Sequence, residues 1–233
     1  MKGNSEGSQS TSKNTSDTQR THGITSLEQR AEALLTEAFP AGLIVPVDID
    51  FLAEGHLGLE IVPIPGLEAN HDLWGSLWKA RDGQHKIIVD QHVLDDQPNL
   101  YRFTLGEEIA HYVLHRAHFA EVQTVEQACE VQRALQADLH HMERNAKWFA
   151  SALLMPRRLV REEAARLYGQ LVAYVGYANA DAVLKKLTGL LARQFRVSQQ
   201  AMKYRLDDHP CRVTEAVQTA MASHDASLWE GTR

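Results

Sequence analysis

Residues 102–115 read Arg102-Phe103-Thr104-Leu105-Gly106-Glu107-Glu108-Ile109-Ala110-His111-Tyr112-Val113-Leu114-His115. They fall in a helix expected over about 98–117. On a helix, residues four apart stand on one face, and Glu107 and His111 have that spacing. In the zincin pattern HExxH, two histidines so placed bind zinc, and the glutamate after the first acts as general base on a metal-bound water. Here Glu108 and His111 stand at the base and second-ligand positions. Glu107 stands at the first, so the motif reads EExxH. Alone, such a segment is commonly an acidic surface with one histidine, and its meaning depends on the rest of the chain.

A second stretch supplies what a two-helix site needs downstream. Residues 142–156 run Met142-Glu143-Arg144-Asn145-Ala146-Lys147-Trp148-Phe149-Ala150-Ser151-Ala152-Leu153-Leu154-Met155-Pro156. Zincins of this type take a third ligand, a glutamate, from a helix packed against the first, and Glu143 is placed for it. Ala146, Phe149, Ala150, Leu153 and Leu154 form an apolar stripe that would seat this helix, and Pro156 ends it or opens the next.

Upstream, the periodicity predicts a helix from Ser26 (N-cap, with Gln29 closing a capping box) to before Pro40. A short helix follows Pro46 and Asp48. Leu59–Ile64 reads as a strand, and Trp74–Ala80 and Lys86–Asp90 read as a hairpin about Asp82-Gly83. Further helices are expected over about 121–152, 157–175, 180–194 and 198–206. The order gives an α+β fold, a zincin-like helical domain with a small, mostly antiparallel sheet and a C-terminal helical pair. Residues 1–24, almost all Ser, Thr, Asn, Gln, Gly and charged groups, cannot bury enough apolar area to offset their ordering and are expected to form a disordered tail. The domain is expected over 25–210, with a further tail over 211–233.

The bulk properties narrow the function classes. Among 233 residues the formal net charge is −6, which leaves no overall electrostatic footprint for tight nucleic-acid binding. Cys129 and Cys211 stand in no metal-ligand spacing and read as free thiols of a cytoplasmic protein. No run is long and apolar enough for a bilayer span, so no membrane partner is expected.

With these pieces in order, the chain resembles the ImmA/IrrE family of zinc metallopeptidase-like proteins. The family's RFTLAHELGHYLLH-like helix and LLMP-ending second helix correspond to RFTLGEEIAHYVLH (102–115) and ERNAKWFASALLMP (143–156). PVDI, GLEIVPI and IIVD within 45–90, and LARQFRVSQQAMKYRL (191–206), also fit. The resemblance implies zinc as cofactor, with Glu107, His111 and Glu143 at the metal positions and Glu108 as catalytic base. It further implies a protein partner, such as a helix-turn-helix repressor or antitoxin-like protein, in control of stress genes or mobile elements. Two departures are coupled. The first ligand is Glu107 rather than histidine, and where the family usually carries Asn or Asp four residues after Glu143, this chain has Lys147. Either Glu107, His111 and Glu143 still hold a divalent metal, or the Lys147 ammonium takes the metal's place among the carboxylates. Direct repulsion between a cation and a metal favours the second.

Other features have plainer alternatives. His115 forms a rival HxxxH pair with His111 and reads as a packing residue; His140 and His141 read as solvent-facing. Gly75, Ser76 and Leu77 are expected to form an exposed edge strand able to pair with an extended peptide. Residues 191–206 have a helix-turn-helix outline with Arg193, Arg196, Lys203 and Arg205 as basic groups, so a DNA-binding regulator stands beside the active endopeptidase as an alternative to a metal-free peptidase-like module. The charge balance argues for weak, salt-sensitive DNA affinity.

Overall fold

The computed structural model describes residues 14–137, 140–176 and 179–228. The Asp82-Gly83 turn joins β2 (Gly75–Lys79) to β3 (His85–Asp90) as an antiparallel hairpin, from Gly75 opposite Val89 to Lys79 opposite His85. Gly83 supplies the positive φ the turn needs. The first strand, β1 (Glu60–Ile64), lies on the far side of β3 and runs parallel to it, so the order is β1-β3-β2. The sheet is therefore mixed, one parallel and one antiparallel pair, where a mostly antiparallel sheet was expected. After β1 the chain turns through α2 (Leu67–His71) to the opposite edge, which leaves the central place to β3.

Asp90 fastens the end of β3 to the helices on either side of it in the chain. It caps α3 (Gln91–Asp96), its Oδ1 accepting from the amides of His92 at 2.8 Å and Val93 at 3.1 Å. Its Oδ2 accepts from Glu68 N–H of α2 at 2.9 Å. One buried carboxylate thus aligns the entry to α4 (Pro98–His115), which lies across β2 and β3.

The helix expected from Ser26 is α1 (Asn14–Ala38) and starts twelve residues earlier. Ser26 is interior and caps nothing. Once a helix is nucleated, each added residue costs little, and no proline stops it there. The disordered tail expected over 1–24 therefore holds helix from Asn14 onward, and its first thirteen residues lie outside the described ones. The short helix after Asp48 is a π-helical turn, Phe51–His56.

The single helix expected over 121–152 is two, α5 (Val125–Ala137) and α6 (His140–Leu154). Gln132 and Lys147 line one cleft, whereas a continuous helix would hold them about 22 Å apart. Then come α7 (Arg157–Val175), α8 (Ala180–Phe195), α9 (Gln199–Asp207) and α10 (Val213–Ser223). The expected C-terminal tail thus holds a packed helix, with Val213, Val217, Ala220 and Met221 buried against α7, α8 and α9.

Asp90 generates a test of this frame. Burial by itself would raise its pKa, but the amides of Glu68, Val93, His92 and Leu67 outweigh that and hold it below 3.8. A depressed folded-state pKa gives stability that is present above 3.8 and lost as the pH falls through the folded value. Asp90→Ala is expected to lose about 1–2 kcal/mol at neutral pH. In urea titrations the gap to wild type should narrow as the pH drops below 3.8.

Candidate functional site

Helices α4 and α6 meet at glycine and alanine. A Cβ built on Gly106 would stand 3.1 Å from the Ala150 Cβ, and Ala146 and Ala150 are fully buried. With no side chain between them, the backbones come close. Glu107, Glu108 and His111 of α4 then line one cleft of about 650 Å³ together with Glu143 and Lys147 of α6. Helical spacing does the rest, since Glu107–His111 and Glu143–Lys147 are both four apart.

Within the cleft, Lys147 Nζ lies 3.0 Å from Glu143 Oε1, and His111 Nε2 lies 3.6 Å from Glu143 Oε2. The first is an ion pair. The second is too long for a hydrogen bond. On its other side the His111 ring meets His115, Nδ1 to Nδ1 at 3.2 Å, and packs on Phe119. His115 is half-buried and therefore helps to orient His111. Burial, followed by the neighbouring His111, His118 and His141, pushes its pKa down to about 4. His140 and His141 are exposed.

The carboxyls differ sharply. The approach of His111 and the Lys147 ammonium hold Glu143 down to about 2 in spite of burial. Burial, then the charge of Glu143, lifts Glu107 to about 8, with Lys147 opposing. Burial, then Glu107 and Glu143, lifts Glu108 well above the usual carboxylate range, with the nearby Leu77 amide opposing. Lys147 is raised, because its pairing with Glu143 and the charge of Glu107 outweigh its partial burial. Glu107 Oε1 and Glu108 Oε2 are shut off from solvent and accept no hydrogen bond. Thr104 Oγ1, on the same cleft, is likewise buried without a partner. Buried polar atoms without partners are costly, so these three atoms are the unsatisfied part of the cleft.

A zinc ion would need three converging donors with the correct separations. Among the described residues no three His, Cys, Asp or Glu side chains form such a group. Glu143 is turned toward an ammonium, and the first position offers a carboxyl in place of an imidazole. As they stand, one oxygen of Glu143 is committed to Lys147 while the other lies 3.6 Å from His111.

The chain matches the model of the IrrE N-terminal-like domain, peptidase M78, over residues 77–207. It belongs to that family. No curated protein matches it. The matched span of the IrrE-like domain begins inside β2 and ends with α9, so it takes in both site helices and the α8–α9 pair.

The IrrE-like cleft differs from expectation at its edge strand. β2 is an edge strand, but Gly75, Ser76 and Leu77 are buried rather than exposed. Asp90 N–H donates to Trp74 O, so alternate residues Gly75, Leu77 and Lys79 turn their amides away from β3. One of those amides is taken within the chain, Lys79 N–H by Val122 O at 2.9 Å, and the Leu77 amide faces the Glu108 carboxyl. At Gly75 a Cβ would sit 2.6 Å from Thr104 Cγ2, so this position carries no side chain for a steric reason.

The cleft is also lined by residues that carry no motif, among them Asp72, Leu73 and Leu100, and by Gln132 and Gln136 of α5 and Gln200 of α9. Glutamines on amphipathic helices look like solvated faces, and only the packing of α5 and α9 beside the site helices brings these to its rim. The helix-turn-helix outline is present as α8 and α9, with Ser198 Oγ capping α9 by accepting from Ala201 N–H. Of its four basic residues, Arg205 is fully buried, and Lys203 pairs with Asp207 at 2.8 Å. Arg193 and Arg196 remain exposed.

The close approach of α4 and α6 is open to direct test. Gly106→Val places methyl groups where Ala150 stands and should cost about 1–3 kcal/mol by overpacking, read as a lowered denaturant midpoint. An unchanged midpoint would show that the two helices do not meet there.

Proposed function

We propose that this IrrE-like domain is a regulatory module that engages a protein partner through its peptidase-like cleft and holds no resident zinc. One observation carries the reading. The Lys147 ammonium stands 3.0 Å from Glu143, the carboxylate that the family resemblance assigns to the metal. Three carboxyls gathered in one partly buried cleft need positive charge or protons. Lys147 supplies charge, and a metal beside it would be repelled.

The partner is then a protein of the kind ImmA/IrrE proteins act on, a helix-turn-helix repressor or antitoxin-like protein in the cytoplasm. An extended segment of it lies along Gly75–Leu77 and offers its carbonyls to the outward amides of that edge. No described helix is long and apolar enough to cross a membrane. Nucleic acid is a poor candidate, since the formal net charge is −6 and the buried Arg205 and the paired Lys203 remove two of the four basic groups of the helix-turn-helix outline.

One observation favours a second reading, an active metal-dependent endopeptidase with Glu107, His111 and Glu143 as ligands and Glu108 as base. His111 Nε2 and Glu143 Oε2 are 3.6 Å apart, near the roughly 3.3 Å that separates two donors on one tetrahedral zinc.

Metal analysis separates the two. The protein purified in zinc-containing medium should hold little zinc, and Glu107→His with Lys147→Asn should bring it close to one per chain, far above either single change. A wild type with one tightly held zinc, and peptidase activity abolished by Glu108→Gln, would establish the enzyme instead.

A further inference from the structure

Lys147 does not complete the charge balance of the cleft. It contacts Glu143, and its side chain is 55% exposed. Glu107 Oε1 and Glu108 Oε2, on adjacent residues of α4, keep no partner. Glu108 is 7% exposed. The cleft they line is open and large enough, at about 650 Å³, for a long side chain. Its rim carries the amides of Gln132, Gln136 and Gln200, and the rings of Trp74 and Phe103. Trp74 is 44% exposed, with its Nε1 tied to Glu68 Oε1 at 3.1 Å. Two unsatisfied acceptors, polar amides and an aromatic wall are together the environment of a bound organic cation.

We infer that the cleft is a recognition pocket for a basic side chain of the protein partner, an arginine, whose guanidinium bonds to Glu107 and Glu108 where other members of the fold would hold their metal. Arginine is favoured over lysine by geometry. A planar guanidinium offers five donors in a fork and serves acceptors on two different side chains, whereas an ammonium is a compact, strongly hydrated point charge. The aliphatic stem packs against Phe103 and Trp74. Lys147 is then an internal competitor. Its flexible, half-exposed chain holds Glu143 while the pocket is empty and weakens the incoming cation by repulsion. This inference rests on the metal-free reading above, because a zinc ion would occupy the same carboxyls.

The test uses the full chain and two capped pentapeptides, Ala-Ala-Arg-Ala-Ala and the same sequence with citrulline, which keeps the shape and removes the charge. Calorimetry should show the arginine peptide binding about tenfold or more tightly, the factor expected for charge-assisted hydrogen bonds to buried carboxyls. Glu107→Gln with Glu108→Gln should abolish the preference. Lys147→Met should tighten arginine binding several-fold and leave citrulline unchanged, which a purely structural lysine would not do. Equal binding of the two peptides by the wild type, absence of binding by both, a preference that survives in the double glutamine variant, or weaker arginine binding by Lys147→Met would each overturn the inference. Zinc content of the same preparation keeps the two readings apart. Indifference to arginine in a zinc-free protein refutes the pocket alone, whereas stoichiometric zinc refutes the metal-free reading beneath it.

Discussion

The contact of Gly106 with Ala150 decides how near α4 and α6 can lie. Any side chain on Gly106 would press on Ala150, and the fully buried Ala146, one turn earlier on α6, keeps the same face shallow. Because the helices are close, residues that neighbour the contact in sequence must neighbour each other in space. Glu107 and Glu108 come directly after Gly106, and Glu143 and Lys147 precede Ala150 on the same helix. The apolar packing that holds the domain together therefore forces three carboxyls and one ammonium into a single cleft. Electrostatics does not bring these groups together, since bringing carboxyls into a low-dielectric cleft is unfavourable. Helix packing supplies the driving force, and the charges must be balanced afterwards.

A second fixed point sits at the other end of α6. Arg205 is fully buried and donates to Met155 O at 2.9 Å, to Asp208 Oδ2 at 2.9 Å and to both oxygens of Glu28. One guanidinium thus ties α9 to α1 and to the α6–α7 junction. Buried ion pairs of this kind contribute little net stability, but breaking one is costly, so the arrangement fixes where α9 lies. That placement brings Gln200 of α9 to the rim of the cleft. The basic residue that gave α9 part of its DNA-binding outline is consumed in holding α9 against the domain.

The range of each signal decides how much of it is legible in the sequence. The two site helices were legible because their information is local: a four-residue spacing, an apolar stripe, and motifs in order. Lys147 was legible for the same reason, as it lies one turn from Glu143, and the structure pairs them. The sheet was harder. Hydrophobic runs located its strands, but β1 and β2 carry no local mark of which side of β3 they join, and the parallel pair was missed. The break between α5 and α6 was hidden as well, since both halves have good helical composition. The burial of Gly75–Leu77 was invisible because it depends on Thr104 and Glu108 pressing on the strand from α4, contacts made some thirty residues away. Burial of Arg205 needed Glu28, 177 residues distant in sequence, and nothing in a basic helix announces that one of its arginines will be enclosed.

On the metal-free reading proposed above, Glu107 and Lys147 alter what kind of cation the cleft can use. A metal held by three protein donors is bound through short bonds and leaves slowly unless the donors rearrange. An ammonium on a four-carbon chain, more than half exposed, is tethered but exchangeable, and it covers only Glu143. The remaining carboxyls are left in a state that favours whatever positive charge can reach them, and Glu108 lies against the edge strand, with its Cγ 3.6 Å from where a Cβ on Gly75 would stand. A partner that brings its own cation would satisfy Glu107 and Glu108 directly beside the strand its backbone would pair with. Charge recognition and strand pairing would then meet at a single side chain, Glu108.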